Sequence, residues 1–152
     1  MKVELNRVEF LKAWQMAEHS SSSKTTVSAA AGILINAGDE TALEATDFKT
    51  AIRCSASGVQ TITPGSAVLP VRLLGEFFKK IQAEMVTLEV DGEHGIMTAG
   101  RNRTRFSTPP VSEFPNIPRS DGGRELCSVL MPDLARVIAE GSRASSTPAD
   151  FP

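Results

Sequence analysis

Two amphipathic helical stripes, each preceded by a strand signal and followed by hairpin-forming segments, constrain this chain more than any other feature. Residues 1–5 alternate apolar and polar, and Asn6 with Glu9 three positions on makes a capping-box signature that starts a helix. Phe10, Leu11, Trp14 and Ala17 recur at helical spacing as far as His19, leaving Arg7, Lys12, Gln15 and Glu18 to the other faces. Residues 20–23 are a serine connector. Residues 27–37 read as one strand, Gly38, Asp39 and Glu40 as a hairpin turn, and residues 42–46, 49–58 and 66–69 as further strands. Pro70 then precedes a second helix, with Leu74, Phe77, Phe78 and Ile81 on its apolar stripe and Arg72, Glu76, Lys79 and Lys80 off it. Residues 85–91 alternate strictly, residues 92–95 form a turn, and residues 96–99 and 104–108 complete a meander.

Strand, helix, three strands, and then the same again is an internal repeat of elements, although the residues themselves barely match. Such an order predicts an α+β fold of antiparallel sheets with two helices per domain, and not the alternating parallel strands and helices of a doubly wound enzyme. Pro109, Pro110, Pro115 and Pro118, followed by a polar, glycine-rich stretch, mark a linker or domain boundary. Beyond it residues 125–130 predict a strand, and Pro132, Leu134, Val137, Ile138 and Gly141 a helix. A shift of about 124 positions lays Phe10 on Leu134 and Trp14 on Ile138, so a third unit begins here. The expectation is therefore one whole domain at 1–118, then a linker and the truncated start of a second at 119–152.

Charge and chemistry exclude most functional classes. Sixteen Lys and Arg stand against 18 Asp and Glu, and neither side of Pro118 is basic overall. Any nucleic-acid contact must come from cations gathered on one face. No apolar run reaches the roughly 20 residues that span a bilayer and the N-terminus has no signal-peptide core, so a cytoplasmic protein is expected. Cys54 and Cys127 fit neither a disulfide framework nor a zinc spacing, and His19 and His94 belong to no metal-binding pattern, so no metal or cofactor is expected. Ser20 to Ser23 lack a nucleophile elbow, and no phosphate-binding glycine loop is present. No catalytic residue is assigned. A hydrolase using one of these serines is the enzymatic alternative, and the predicted hairpin meanders argue against it. Arg101, Arg103 and Arg105 alternate before Phe106 and share one face of a predicted strand unless a turn at Gly100 displaces Arg101; they serve either as an edge-protecting charge row or as a partner surface. Arg72, in the first turn of the second helix, opposes the macrodipole there by about 0.3–1 kcal/mol, which points to an external reason for its presence.

The opening Met1-Lys2, the segment 45–47, the run 64–74 (Pro-Gly-Ser-Ala-Val-Leu-Pro-Val-Arg-Leu-Leu), the block Arg103-Thr104-Arg105-Phe106-Ser107 and the segment 113–118 resemble, in the same order, the first domain of the bacterial sliding clamp, the β subunit of DNA polymerase III. The resemblance spans residue 1 to about 118, and residue 125 onward resembles the start of that family's second domain. It implies the DNA-clamp fold, and a head-to-tail homodimer ring of three-domain subunits. The implied function is a processivity factor that encircles duplex DNA and tethers the replicative polymerase without catalysis. It implies DNA contact by Lys24, where the family carries an arginine, and by Arg72. Arg7, Lys12 and Arg136 become possible pore-lining cations from their positions, and Phe77, Arg103, Arg105 and Phe106 fall where the family's subunits meet. Where the family usually has Ser-Gly-Arg-Ser-Arg-Phe, this chain has Arg101-Asn102-Arg103-Thr104-Arg105-Phe106. Residues 148–152 begin the second-domain loop that touches DNA in the family. Polymerase and clamp loader would bind through regions outside this chain. A stand-alone clamp-fold interaction or nucleic-acid-binding module that closes no ring is the alternative.

Overall fold

Asn6 ends the first strand and starts the first helix with one side chain. In the computed structural model, which describes residues 1–21, 28–119, 127–143 and 145, its Oδ1 accepts hydrogen bonds from the backbone N–H groups of Val8 (3.1 Å) and Glu9 (3.2 Å). The predicted box is half made, because the Asn6 backbone N–H donates to the Gly58 carbonyl (2.7 Å) and not to Glu9. From here β1 (Lys2–Asn6) leads into α1 (Arg7–Glu18), a 3-10 turn (Ser28–Ala31), β2 (Gly32–Ala37), β3 (Ala42–Thr46), β4 (Ala51–Ser55), β5 (Val59–Thr63) and β6 (Gly65–Pro70). Then come α2 (Val71–Lys80), β7 (Met85–Asp91), β8 (His94–Ala99), β9 (Asn102–Ser107), a 3-10 turn (Val111–Glu113) and α3 (Met131–Ser142).

Two antiparallel sheets result, one ordered β5-β1-β7-β8-β9 and the other β4-β3-β2-β6. The first strand of each unit pairs with a strand of the other unit, β1 with β7 and β6 with β2, so neither unit closes a sheet alone. Val3, Leu5, Val86, Leu88 and Met97 from the first sheet and Ile33, Ile35, Leu43 and Leu69 from the second share one buried cluster with both helices. At its centre Phe10, Trp14 and Phe78 lie 5.3–6.0 Å apart in tilted pairs, a geometry worth about 0.5–1.5 kcal/mol per pair beyond the area buried.

Several sequence expectations change. The strand expected over 27–37 begins only at Gly32, because the alanine run before it coils into a 3-10 turn and only glycine fits the approach to β6. A Cβ there would lie 2.4 Å from Val68 Cγ1. The strand expected over 49–58 is confined to Ala51–Ser55. Asp47 to Thr50 form its entry turn, and near Gly58, at φ 69°, the chain passes to the other sheet, where β5 pairs with β1. The turn expected over 92–95 narrows to Gly92 and Glu93, since His94 and Gly95 pair with Asp91 and Val90. Arg101 lies in the turn at Gly100 (φ 59°) and not on the strand with Arg103 and Arg105.

The chain divides into two units, Met1–Ile117 and Pro118–Pro152. Within the first, the proline-rich segment packs back: its 3-10 turn lies against β6, and Arg53 Nη2 donates to the Ile117 carbonyl (3.0 Å). In the second, α3 carries Pro132 in its first turn and leaves Val137 and Ile138 exposed. Residues 127–130, the described part of the strand expected over 125–130, take no strand conformation; residues 125 and 126 lie outside the described residues.

Candidate nucleic-acid interface

Burying Phe10, Ala13, Trp14 and Ala17 on one side of α1 turns Val8, Lys12, Gln15 and Met16 outward. Burying Leu74, Gly75 and Phe78 on α2 likewise exposes Arg72, Leu73, Glu76, Lys79 and Lys80. The helices are held side by side by the aromatic trio and by an ion pair between Lys79 Nζ and Glu18 Oε2 (3.3 Å). Their close approach needs Gly75, where a Cβ would sit 3.2 Å from Trp14 Nε1.

Arg72 is 96% exposed on its side chain and projects from the first turn of α2. Pro70 offers that helix start no side-chain cap, so its free N–H groups and the Arg72 guanidinium present positive charge together. Glu76 Oε1 lies 3.8 Å from Arg72 Nε, and Glu76 Oε2 lies 3.1 Å from Lys80 Nζ. The Lys80 hydrogen bond and charge, with Arg72 and Lys79 farther off, hold the Glu76 carboxyl below its ordinary value. A hollow of about 630 Å³ opens between the end of α1 and the start of α2, lined by Glu18, Ser21, Ala31, Arg72 and Lys79 among others. Lys24 lies outside the described residues.

The other expected cations are disposed differently. Lys12 is exposed on α1. Arg7 turns toward the end of α2, where its Nη1 donates to the Phe78 carbonyl (3.5 Å) and its Nε is buried. Arg136 belongs to the second unit, paired with Asp133 at 3.5 Å on α3. Spacing alone marked Lys79, Lys80 and Glu76 only as off-stripe residues. The signal for their grouping is the i, i+4 series Arg72, Glu76, Lys80, which sets them in one row.

At the edge of the five-stranded sheet, Arg103 and Arg105 share the outer face of β9, opposite Thr98 and Ile96. Phe106 points the other way, 7% exposed, with its ring over Gly95 of β8. Phe77 is half-buried and joins Lys80, Ile81, Asn102, Arg103 and Thr104 around a hollow of about 320 Å³. Phe77 and Arg103 thus adjoin one another, while Arg105 and Phe106 occupy opposite faces of the strand.

Among the described residues no three His, Cys, Asp or Glu side chains are grouped to hold a metal ion. His19 caps the end of α1 and His94 pairs with Ser107. The Cys54 thiol donates to the Ala13 carbonyl (3.6 Å), and burial pushes its pKa up, which makes it less nucleophilic. No described helix is long and apolar enough to cross a membrane.

Residues 1–118 match the family model described as DNA polymerase III beta subunit, N-terminal domain. The beta sliding clamp of Escherichia coli K12 is 25% identical over 119 residues, which cover 77% of this chain and 32% of that protein. The beta sliding clamp of Pseudomonas putida is 24% identical over 146 residues, 95% of this chain and 40% of that one. Among solved structures, Caulobacter crescentus pol III beta aligns with TM-score 0.81 at 28% identity, over 91% of this chain and 38% of its own. The DNA polymerase III subunit beta of Pseudomonas aeruginosa aligns with TM-score 0.82 at 22% identity and shares the fold, with the same coverage. The chain spans about a third to two-fifths of the length of these relatives.

Proposed function

Since the chain belongs to the DNA polymerase III beta subunit family, matching its N-terminal domain over residues 1–118, we propose that it contributes one domain to a sliding clamp. In that reading a ring of such domains encircles duplex DNA and tethers the replicative polymerase. The protein catalyses nothing. The observation that carries the reading is the exposed cationic row on α2, beside the hollow that Ser21 and Ala31 line, on a helix pair whose other side is core.

Arg72 and Lys24 meet backbone phosphates, with Lys12 and Arg136 as further pore-side cations and Arg7 in a lesser part because it is already engaged with α2. Contacts of this kind position a duplex without reading its sequence, which suits a ring that must travel over every sequence. The edge of β9 and the hollow beside Phe77 and Arg103 receive a second subunit. Phe106 supports that surface from inside, and Arg103 and Arg105 form its charged rim. Polymerase and clamp loader bind parts of the longer protein outside this domain. The protein acts in the cytoplasm, on the chromosome.

The test is topological. Full-length protein loaded on a closed circular duplex should stay bound through a wash at elevated salt and leave when the circle is linearised, because a ring slides off ends. Arg103→Glu should lower both the dimer fraction in sedimentation and the retained protein. Retention that is the same on circular and linear DNA would refute encirclement and favour an open clamp-fold module that closes no ring.

A further inference from the structure

Every cation on the exposed row of α2 already faces a carboxylate. Arg72 and Lys80 share Glu76, one on each side of it, and Lys79 meets both oxygens of Glu18 at 3.3 and 3.4 Å. Three positive charges therefore meet two negative ones on the surface proposed to face the duplex. Exposed pairs of this type hold a fold together weakly and exchange partners readily. Their stabilising value does not account for a carboxylate set in the middle of a phosphate-binding row.

Resting on the sliding-clamp reading, we infer that Glu76 is a tuning residue for DNA contact: its carboxylate competes with backbone phosphates for Arg72 and Lys80, and so keeps the grip on the duplex weak and transferable. The geometry supplies the means. Glu76 sits one helical turn from each cation, within 4 Å of both, so either cation leaving a phosphate finds a carboxylate without becoming bare. The barrier to stepping from one phosphate to the next falls, and the subunit travels without dwelling. Without the carboxylate, the same cations would bind longer and pull more counterions off the duplex.

The experiment uses full-length protein with Glu76→Gln, Arg72→Gln and the double variant, since Gln keeps the helix propensity of Glu. Affinity for a linear duplex is read by fluorescence anisotropy over a salt series, and diffusion of loaded protein is read on stretched DNA. Removing one negative charge about 4–7 Å from a phosphate should tighten binding at low salt by about two- to five-fold. It should also steepen the plot of log K against log salt by up to about 0.9, and slow diffusion. The gain should shrink in the Arg72→Gln background, where one of the two cations that Glu76 holds is gone. If Arg72→Gln weakens binding and Glu76→Gln changes neither affinity nor slope, the tuning role is overturned and the DNA face stands. If neither substitution alters binding, both fall.

Discussion

Gly95→Ala tests the packing of Phe106 beneath the β9 edge. Gly95 and Phe106 are direct cross-strand partners, and a Cβ on residue 95 would lie 2.2 Å from two carbons of the Phe106 ring and 2.8 Å from a third. Ordinary contact begins near 3.4 Å, so the ring must retreat by about 1.2 Å. Both backbones are fixed by the β8–β9 ladder, and the ring is 7% exposed, so the retreat falls on the core around it. Overpacking of this kind costs about 1–3 kcal/mol. With a urea m-value of about 2 kcal/mol/M, the unfolding midpoint should fall by about 0.5–1.5 M with little change in slope. A cycle isolates the cause: Phe106→Ala alone should cost about 3–5 kcal/mol, and adding Gly95→Ala to it should be neutral, because the obstacle is gone. A Gly95→Ala protein within about 0.5 kcal/mol of the parent, or full additivity in the cycle, would refute the placement of Phe106 over Gly95.

Three further predictions concern the four-stranded sheet. Phe48 is 60% exposed at φ 68°, a conformation that costs a bulky L-residue about 1–2 kcal/mol, so Phe48→Gly should raise stability by about 0.5–1 kcal/mol in denaturant melts. That turn is held by Asp47, whose carboxylate accepts from the Thr50 backbone N–H (2.6 Å), the Lys49 N–H (2.9 Å) and the Thr50 hydroxyl (3.0 Å), which together hold its carboxyl below its ordinary value. Because the folded value is depressed, the stabilisation is present above about pH 4 and is lost as pH falls through the folded value. Asp47→Asn should therefore flatten the acid side of a pH–stability profile, and an unchanged profile would count against the turn. Glu44, 6% exposed, accepts from Arg53 Nε (2.9 Å) and Nη2 (3.3 Å) and from Asn36 Nδ2 (3.2 Å), so Glu44→Ala should cost about 1.5–3 kcal/mol in urea unfolding. A loss under about 0.5 kcal/mol would show that the row is not a structural network.

Legibility followed the range of the interaction. The two helices were readable because their apolar stripes and the Asn6 cap lie within a few residues of each other. β5 was not, because Val59–Thr63 takes its place only by leaving the β4 sheet for β1, more than fifty residues away in sequence. The alanine turn before β2 was hidden for a similar reason, since the crowding at Gly32 comes from Val68 on another strand. Arg72 was legible as a cation in the wrong place on a helix dipole. The carboxylate that answers it was overlooked because Glu76 reads, by itself, as one more solvated residue.

Much of the local order in this protein is a property of its sequence: the first two helices, the twofold strand-helix-meander pattern, and the lack of any spacing for metal or nucleophile chemistry follow from neighbours along the chain. What folding alone decided is which residues share a surface. Phe106 and Arg105 are adjacent in sequence and end on opposite faces of β9, while Glu18 and Lys79 are far apart and end as an ion pair. A strand sends successive side chains to opposite faces, but it takes two sheets, paired through each other's first strand, to decide which face meets the core and which set of charges is left together outside.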